Sequence, residues 1–118
     1  MAAHRDLGKR GEDKALDLLL QKGHRVLHRN HRMGHKEVDV ISLDKDVLVF
    51  TEIKTRSGTA FGFPEEAVDL RKQAHLKAAA EQYCLEHPQY PKLRFDVISL
   101  VLRNGVVHEL LHFEDAFY

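Results

Sequence analysis

The chain has 118 residues, 43% of them apolar and 31% charged, with 18 basic and 18 acidic side chains and a formal net charge of zero. That length suits one domain, residues 1–118, with a core of two packed layers, and the composition excludes a disordered or fibrous chain. Zero net charge excludes the global positive field of many nucleic-acid binders, and a lone cysteine, Cys84, excludes an internal disulfide and a multi-cysteine metal centre.

The opening MAAHRDLGKRGEDK carries charges where a secretory leader has an apolar run. No later segment is long and apolar enough to span a bilayer, so a cytoplasmic protein without membrane contact is expected. Residues 5–22 repeat Leu7, Gly11, Ala15, Leu18 and Leu19 at helical spacing, which predicts an amphipathic helix stopped by Gly23. Within it Glu12 lies one and two turns before Leu16, Leu19 and Leu20 and leans toward the buried side, with Lys9 and Arg10 beside it.

HRVLHRN (24–30) predicts a short strand, followed by a turn region at Met33 and Gly34. From Lys22 to Lys36 the chain carries Arg25, Arg29, Arg32 and four histidines without one acid. This segment reads equally as a phosphate-facing patch and as a solvated loop and strand edge. The histidines at 24, 28, 31 and 35 have the spacing of a helical metal stripe, but strand and turn character works against a zinc site.

EVDVISL (37–43) and VLVFTEIKTR (47–56) predict two strands around DKD, a connector of the kind that closes a hairpin. SGTAFGFP (57–64) reads as a loop. Residues 64–87 predict a second helix with Pro64 at its first position and Glu65 and Glu66 in its first turn. Cys84 belongs to that helix's core side. LRFDVISLVL (93–102) and VVHELLHF (106–113) flank Asn104-Gly105, a tight-hairpin signal. The order α-β-β-β-α-β-β predicts an α/β domain on a mixed five-stranded sheet flanked by helices.

Two strands carry charges where a covered strand carries Val or Ile. Leu48, Phe50, Glu52, Lys54 and Arg56 share one side of their strand, and both of its faces begin apolar, so an unpaired charge there is costly. If Lys45-Asp46 is the hairpin tip, 43 opposes 48, 41 opposes 50, 39 opposes 52 and 37 opposes 54. Asp39 then sits beside Glu52, and Glu37 faces Lys54.

Adjacent carboxylates repel unless a cation lies between them, and Mg²⁺ or Mn²⁺ bound by Asp39 and Glu52 meets that need. Lys54 is placed to activate water or offset charge on a phosphate, and Glu12 to serve as a third ligand or as a partner of Lys54. Lys9, Arg10, Arg29, Arg32, Arg56, Lys72 and Gln73 are the candidates for phosphate contact. Taken alone, Asp-x(12)-Glu-x-Lys is a weak signal, since paired strand charges more often form salt bridges or surface ladders. Glu12 alone is more often a surface acid, and Lys72 and Gln73 are most simply solvent-facing.

The blocks LGKRGEDKAL (7–16), GHRVLHRNHR (23–32), EVDVI (37–41), VFTEIKTR (49–56), FGFPEEAV (61–68), RFDVI (94–98) and His112-x(3)-Ala116-Phe117 together resemble the YraN family of small bacterial proteins, nearly from end to end. That family looks related to the archaeal Holliday-junction resolvases. The resemblance implies a restriction-endonuclease-like fold and a PD-(D/E)XK core, with Asp39 and Glu52 as metal-binding acids, Lys54 as catalytic lysine and Glu12 as the helix acid. Lys36 departs from the family pattern, which has glycine before the Glu-x-Asp. The expectation is a Mg²⁺- or Mn²⁺-dependent endonuclease acting on DNA, on branched or other non-duplex structures, with resolvase-like relatives implying a homodimer. A non-catalytic nucleic-acid-binding module and a purely structural or protein-interaction domain are the rival readings.

Overall fold

The structure is a computed structural model that describes residues 2–57 and 69–117, residues 2–7 as helix only. Helix α1 (Ala2–Gln21) precedes strands β1 (Arg25–Met33), β2 (Lys36–Asp44) and β3 (Val47–Ser57); helix α2 (Leu70–Glu86) precedes β4 (Lys92–Arg103) and β5 (Val106–Phe117). The five strands form one sheet in the order β1-β2-β3-β4-β5, antiparallel except for the parallel β3–β4 pair, as the α-β-β-β-α-β-β reading predicted. This α/β arrangement is compatible with a restriction-endonuclease-like fold.

Local chemistry fixes the ends of these elements. At the C-terminus of α1, Gly23 takes φ 88°, its N–H donates to Leu20 O and that of His24 to Leu19 O, so orphaned carbonyls are satisfied as the chain turns away. Lys45 (φ 58°), Gly34 (φ 66°), and Asn104 with Gly105 (φ 53° and 77°) supply the left-handed positions that tight hairpins require. Helix α2 begins at Leu70, where Asp69 accepts the Lys72 N–H at 2.9 Å as N-cap. The start expected at Pro64, with Glu65 and Glu66, and most of the 57–64 loop lie outside the described residues; Ser57 ends β3.

Alternation along the strands loads two cores. Phe50, Phe95, Val97 and Ile41 pack with Leu76, Ala79, Ala80 and Tyr83 of α2, with the half-buried Cys84 against them. Ile98, Leu100 and Val40 pack with Ala15 and Leu19 of α1. Leu20, expected near the buried side, is 57% exposed, because the stripe of α1 that meets the sheet runs through Gly11, Ala15 and Leu19. At Gly11 a Cβ would overlap the Thr55 hydroxyl, so only glycine lets the helix lie this close to β3. That contact sets the height of Glu12 above the sheet.

Candidate active site

The β2–β3 ladder pairs Asp44 with Val47, Leu43 with Leu48, Ile41 with Phe50 and Val40 with Thr51, the register read from the hairpin tip. The next positions outward are Asp39 and Glu52. There the backbone ladder stops, and Asp39 Oδ2 accepts the Ile53 N–H at 2.8 Å. A side chain replaces a carbonyl, so the end of the β2–β3 ladder and the position of the acid are set by the same bond.

The Asp39 and Glu52 carboxyls are in hydrogen-bonding contact. Burial first, and then the bond to Glu52 and its charge, push the Asp39 pKa up to about 8, against the Ile53 N–H and Lys72, which pull it down. Glu52 is only 8% exposed, and its Oε2 meets the Lys72 ammonium at 3.0 Å. Burial alone would lower Lys72; the bond to Glu52 and the surrounding carboxylates outweigh it and hold the ammonium above its ordinary range. Among the described residues the dyad therefore has one counter-ion, Lys72 of α2.

A cleft of about 690 Å³ opens beside the dyad, lined by Lys9 and Glu12 of α1, Arg29 of β1, Asp39 of β2 and Lys54 of β3. Lys54 is exposed on its wall, and among the described residues its ammonium has no ion-pair partner. Glu12 is half-buried and tied to β1 by Arg29 at 3.8 Å, while the same guanidinium nitrogen meets Asp13 at 2.6 Å. Among the described residues no group of three His, Cys, Asp or Glu side chains is gathered for a metal ion, and Glu12 stands on the cleft wall.

Other expected residues lie elsewhere. Glu37 meets Arg32 at 3.6 Å instead of Lys54, because β1 runs on to Met33 and sets Arg32 directly opposite Glu37. Arg10 reaches the β4–β5 turn, its guanidinium against Gly105. Arg56 and Gln73 are half-buried and partnered. The four histidines do not form one group: His24 is buried on Ser42 at 2.9 Å, whereas His28, bonded to Tyr83 at 3.1 Å, and His31 lie ring beside ring with centroids 4.4 Å apart.

A second ionic cluster was not foreseen. Asp96, fully buried, accepts from Arg94 at 2.8 and 3.0 Å, from His112 at 2.7 Å and from the Asp115 N–H at 3.0 Å. Asp115 has φ 54° within a bulge of β5, where the chain from Phe113 to Phe117 spans only Val97 to Phe95 of β4. Burial would raise the Asp96 pKa, but the bonds from His112, Arg94 and the Asp115 N–H outweigh it and hold it at about 2. Alternation alone marks Asp96 as a misplaced acid in RFDVI, and this is the signal that could have found it.

The fold and cleft define an α/β domain with a carboxylate pair and lysines at the open end of a mixed sheet. The model described as Uncharacterised protein family UPF0102 matches residues 11–100. UPF0102 proteins of Bacteroides thetaiotaomicron and Dictyoglomus thermophilum are 42% and 39% identical over 118 and 116 residues, covering 100% and 97% of this chain and 97% and 98% of theirs. A UPF0102 protein of Chlorobium phaeobacteroides is 42% identical over 95% of the chain and 94% of its own length. The chain belongs to the UPF0102 family, which is the YraN family of the resemblance. Among the described residues no helix is long and apolar enough to cross a membrane.

The donor set fits a hard divalent cation. Two carboxyls in contact, one of them held protonated to about pH 8 by burial and by its neighbour Glu52, are the one or two protein ligands that Mg²⁺ takes when waters and substrate oxygens complete its shell.

Proposed function

We propose that the chain is a Mg²⁺- or Mn²⁺-dependent endonuclease that hydrolyses DNA phosphodiester bonds, on branched or otherwise non-duplex structures, with a PD-(D/E)XK site related to that of the Holliday-junction resolvases. The observation that carries this reading is the contact between Asp39 and Glu52 at the mouth of a cleft whose walls hold Lys9 and Lys54. Asp39 and Glu52 would hold the cation, which supplies Lewis acidity and charge neutralisation when bound. Lys54 lines the cleft, and its ammonium, without an ion-pair partner among the described residues, is suited to orient a water or to stabilise negative charge growing on a phosphate oxygen. Lys9, on the facing helix, holds a flanking phosphate as a point charge. Intracellular DNA is the substrate class that fits these groups, and a homodimer would present two such clefts to two strands.

The purified protein with Mg²⁺ or Mn²⁺ is expected to cut labelled branched, flap, single-stranded or duplex DNA. Glu52→Ala and Lys54→Ala are each expected to lower the rate by about a hundredfold or more. Cleavage that survives both substitutions sinks the assignment.

The Lys72–Glu52 pair favours a second reading, since the dyad already has a cation. In that reading the protein is a nucleic-acid-binding module that keeps the site without cutting. Salt-sensitive DNA binding with no cleavage under any divalent metal would establish it.

A further inference from the structure

Lys72 is in an unusual place for a lysine. It stands in the first turn of α2, beside Arg71 and with no acid in that turn, where the helix dipole disfavours a cation. Its ammonium nevertheless leaves bulk solvent, 39% exposed at the side chain, to sit 3.0 Å from the Glu52 carboxylate, itself 10% exposed. Lys54, two residues from Glu52 on the same strand side, leaves that position unfilled and faces the cleft. The two lysines therefore do different things.

We propose that Lys72 is a built-in counter-ion that competes with the divalent cation for Glu52 and, once displaced, presents its ammonium to the substrate phosphate. The inference rests on the metal-binding reading of Asp39 and Glu52. A buried and a half-buried carboxyl where the β2–β3 ladder ends need positive charge to keep the site from splaying, and a lysine on a four-carbon stem supplies it reversibly. A divalent cation on Glu52 outcompetes a single ammonium for the same oxygen. The released side chain is anchored at Asp69's capped turn, beside the cleft end of β3, and can swing without unfolding the helix. Lys72 is thus a positioning residue in the metal-free protein and a phosphate contact in the loaded one.

The test is a titration of Mg²⁺ and Mn²⁺ without DNA, read by thermal shift and by amide exchange, on the wild type, Lys72→Met and Arg71→Met. Lys72→Met is expected to melt lower without metal and to reach its metal midpoint at about tenfold lower concentration, whereas Arg71→Met, the same charge in the same turn, moves the midpoint less than twofold. In the wild type, saturating metal is expected to speed exchange at residues 70–73, the opposite of the protection that ligand binding usually gives. An unchanged or raised midpoint in Lys72→Met, or slower exchange in that turn, overturns the inference while a Glu52-dependent metal shift in the wild type leaves the parent reading standing. No metal-dependent shift in the wild type overturns both.

Discussion

Two aspartates, Asp96 fully buried and Asp39 half-buried, sit on the same sheet and have opposite fates. Asp96 has an arginine, a histidine and a backbone N–H bonded to it, and its pKa falls to about 2. Asp39 has one backbone N–H, a second acid and a shared lysine, and its pKa rises to about 8. Asp96 is the more deeply buried of the two and yet has the lower pKa, so burial does not order them; the number of donors does. A fully bonded acid rigidifies the fold, whereas an under-bonded one keeps its proton until a cation or a rise in pH removes it.

The comparison breaks most visibly at Asp96. Asp96→Ala leaves Arg94 with Asp44 alone and takes the acceptor from the buried Nε2 of His112, and is expected to lower stability by about 3–5 kcal/mol, measured by urea unfolding. Gly11→Ala pushes α1 off Thr55 and is expected to cost about 1–3 kcal/mol while moving Glu12 from the cleft wall, which would appear as weaker activity at lower unfolding midpoint.

The two acids also give opposite pH limbs. Asp96, depressed in the fold, contributes stability above the unfolded carboxylate value of about 4 and loses it as pH falls toward about 2. Asp39, raised in the fold, binds a proton that the unfolded chain has lost, so stability declines as pH rises from about 4 through about 8. Asp39→Asn keeps an acceptor for Ile53 and removes the charge; metal-free, it is expected to melt higher than wild type at pH 8, with a flattened upper limb and no response to Mg²⁺. Equal melting of the two proteins across pH 5–8 would erase the contrast. The smallest effect is expected from Arg29→Met, whose exposed pairs with Asp13 and Glu12 are worth under about 1 kcal/mol, so urea midpoints change little while Glu12 is freed.

The sequence made the Asp39–Glu52 adjacency legible because a two-residue tip and strict alternation leave one register that buries the apolar residues. It did not show Lys72 on Glu52, since a contact from helix to strand depends on how α2 crosses the sheet. Ending the first strand at Asn30 hid the Arg32–Glu37 pair; that strand passes through Asn30 at φ 52°, a residue that reads locally as a stop. The Asp96 cluster was written in RFDVI and His112, yet its closure depends on a bulge in β5 that has no sequence mark beyond an aspartate at positive φ.

The bond from the Ile53 N–H to Asp39 Oδ2 has one more consequence. It commits one carboxylate oxygen to the sheet during folding, so the rotamer freedom of Asp39 is already spent when any ligand arrives. Under the proposed metal-binding reading the acid would meet its cation with a fixed direction, as a single-toothed donor, and selectivity among cations would fall to Glu52, whose longer stem is the adjustable half of the pair.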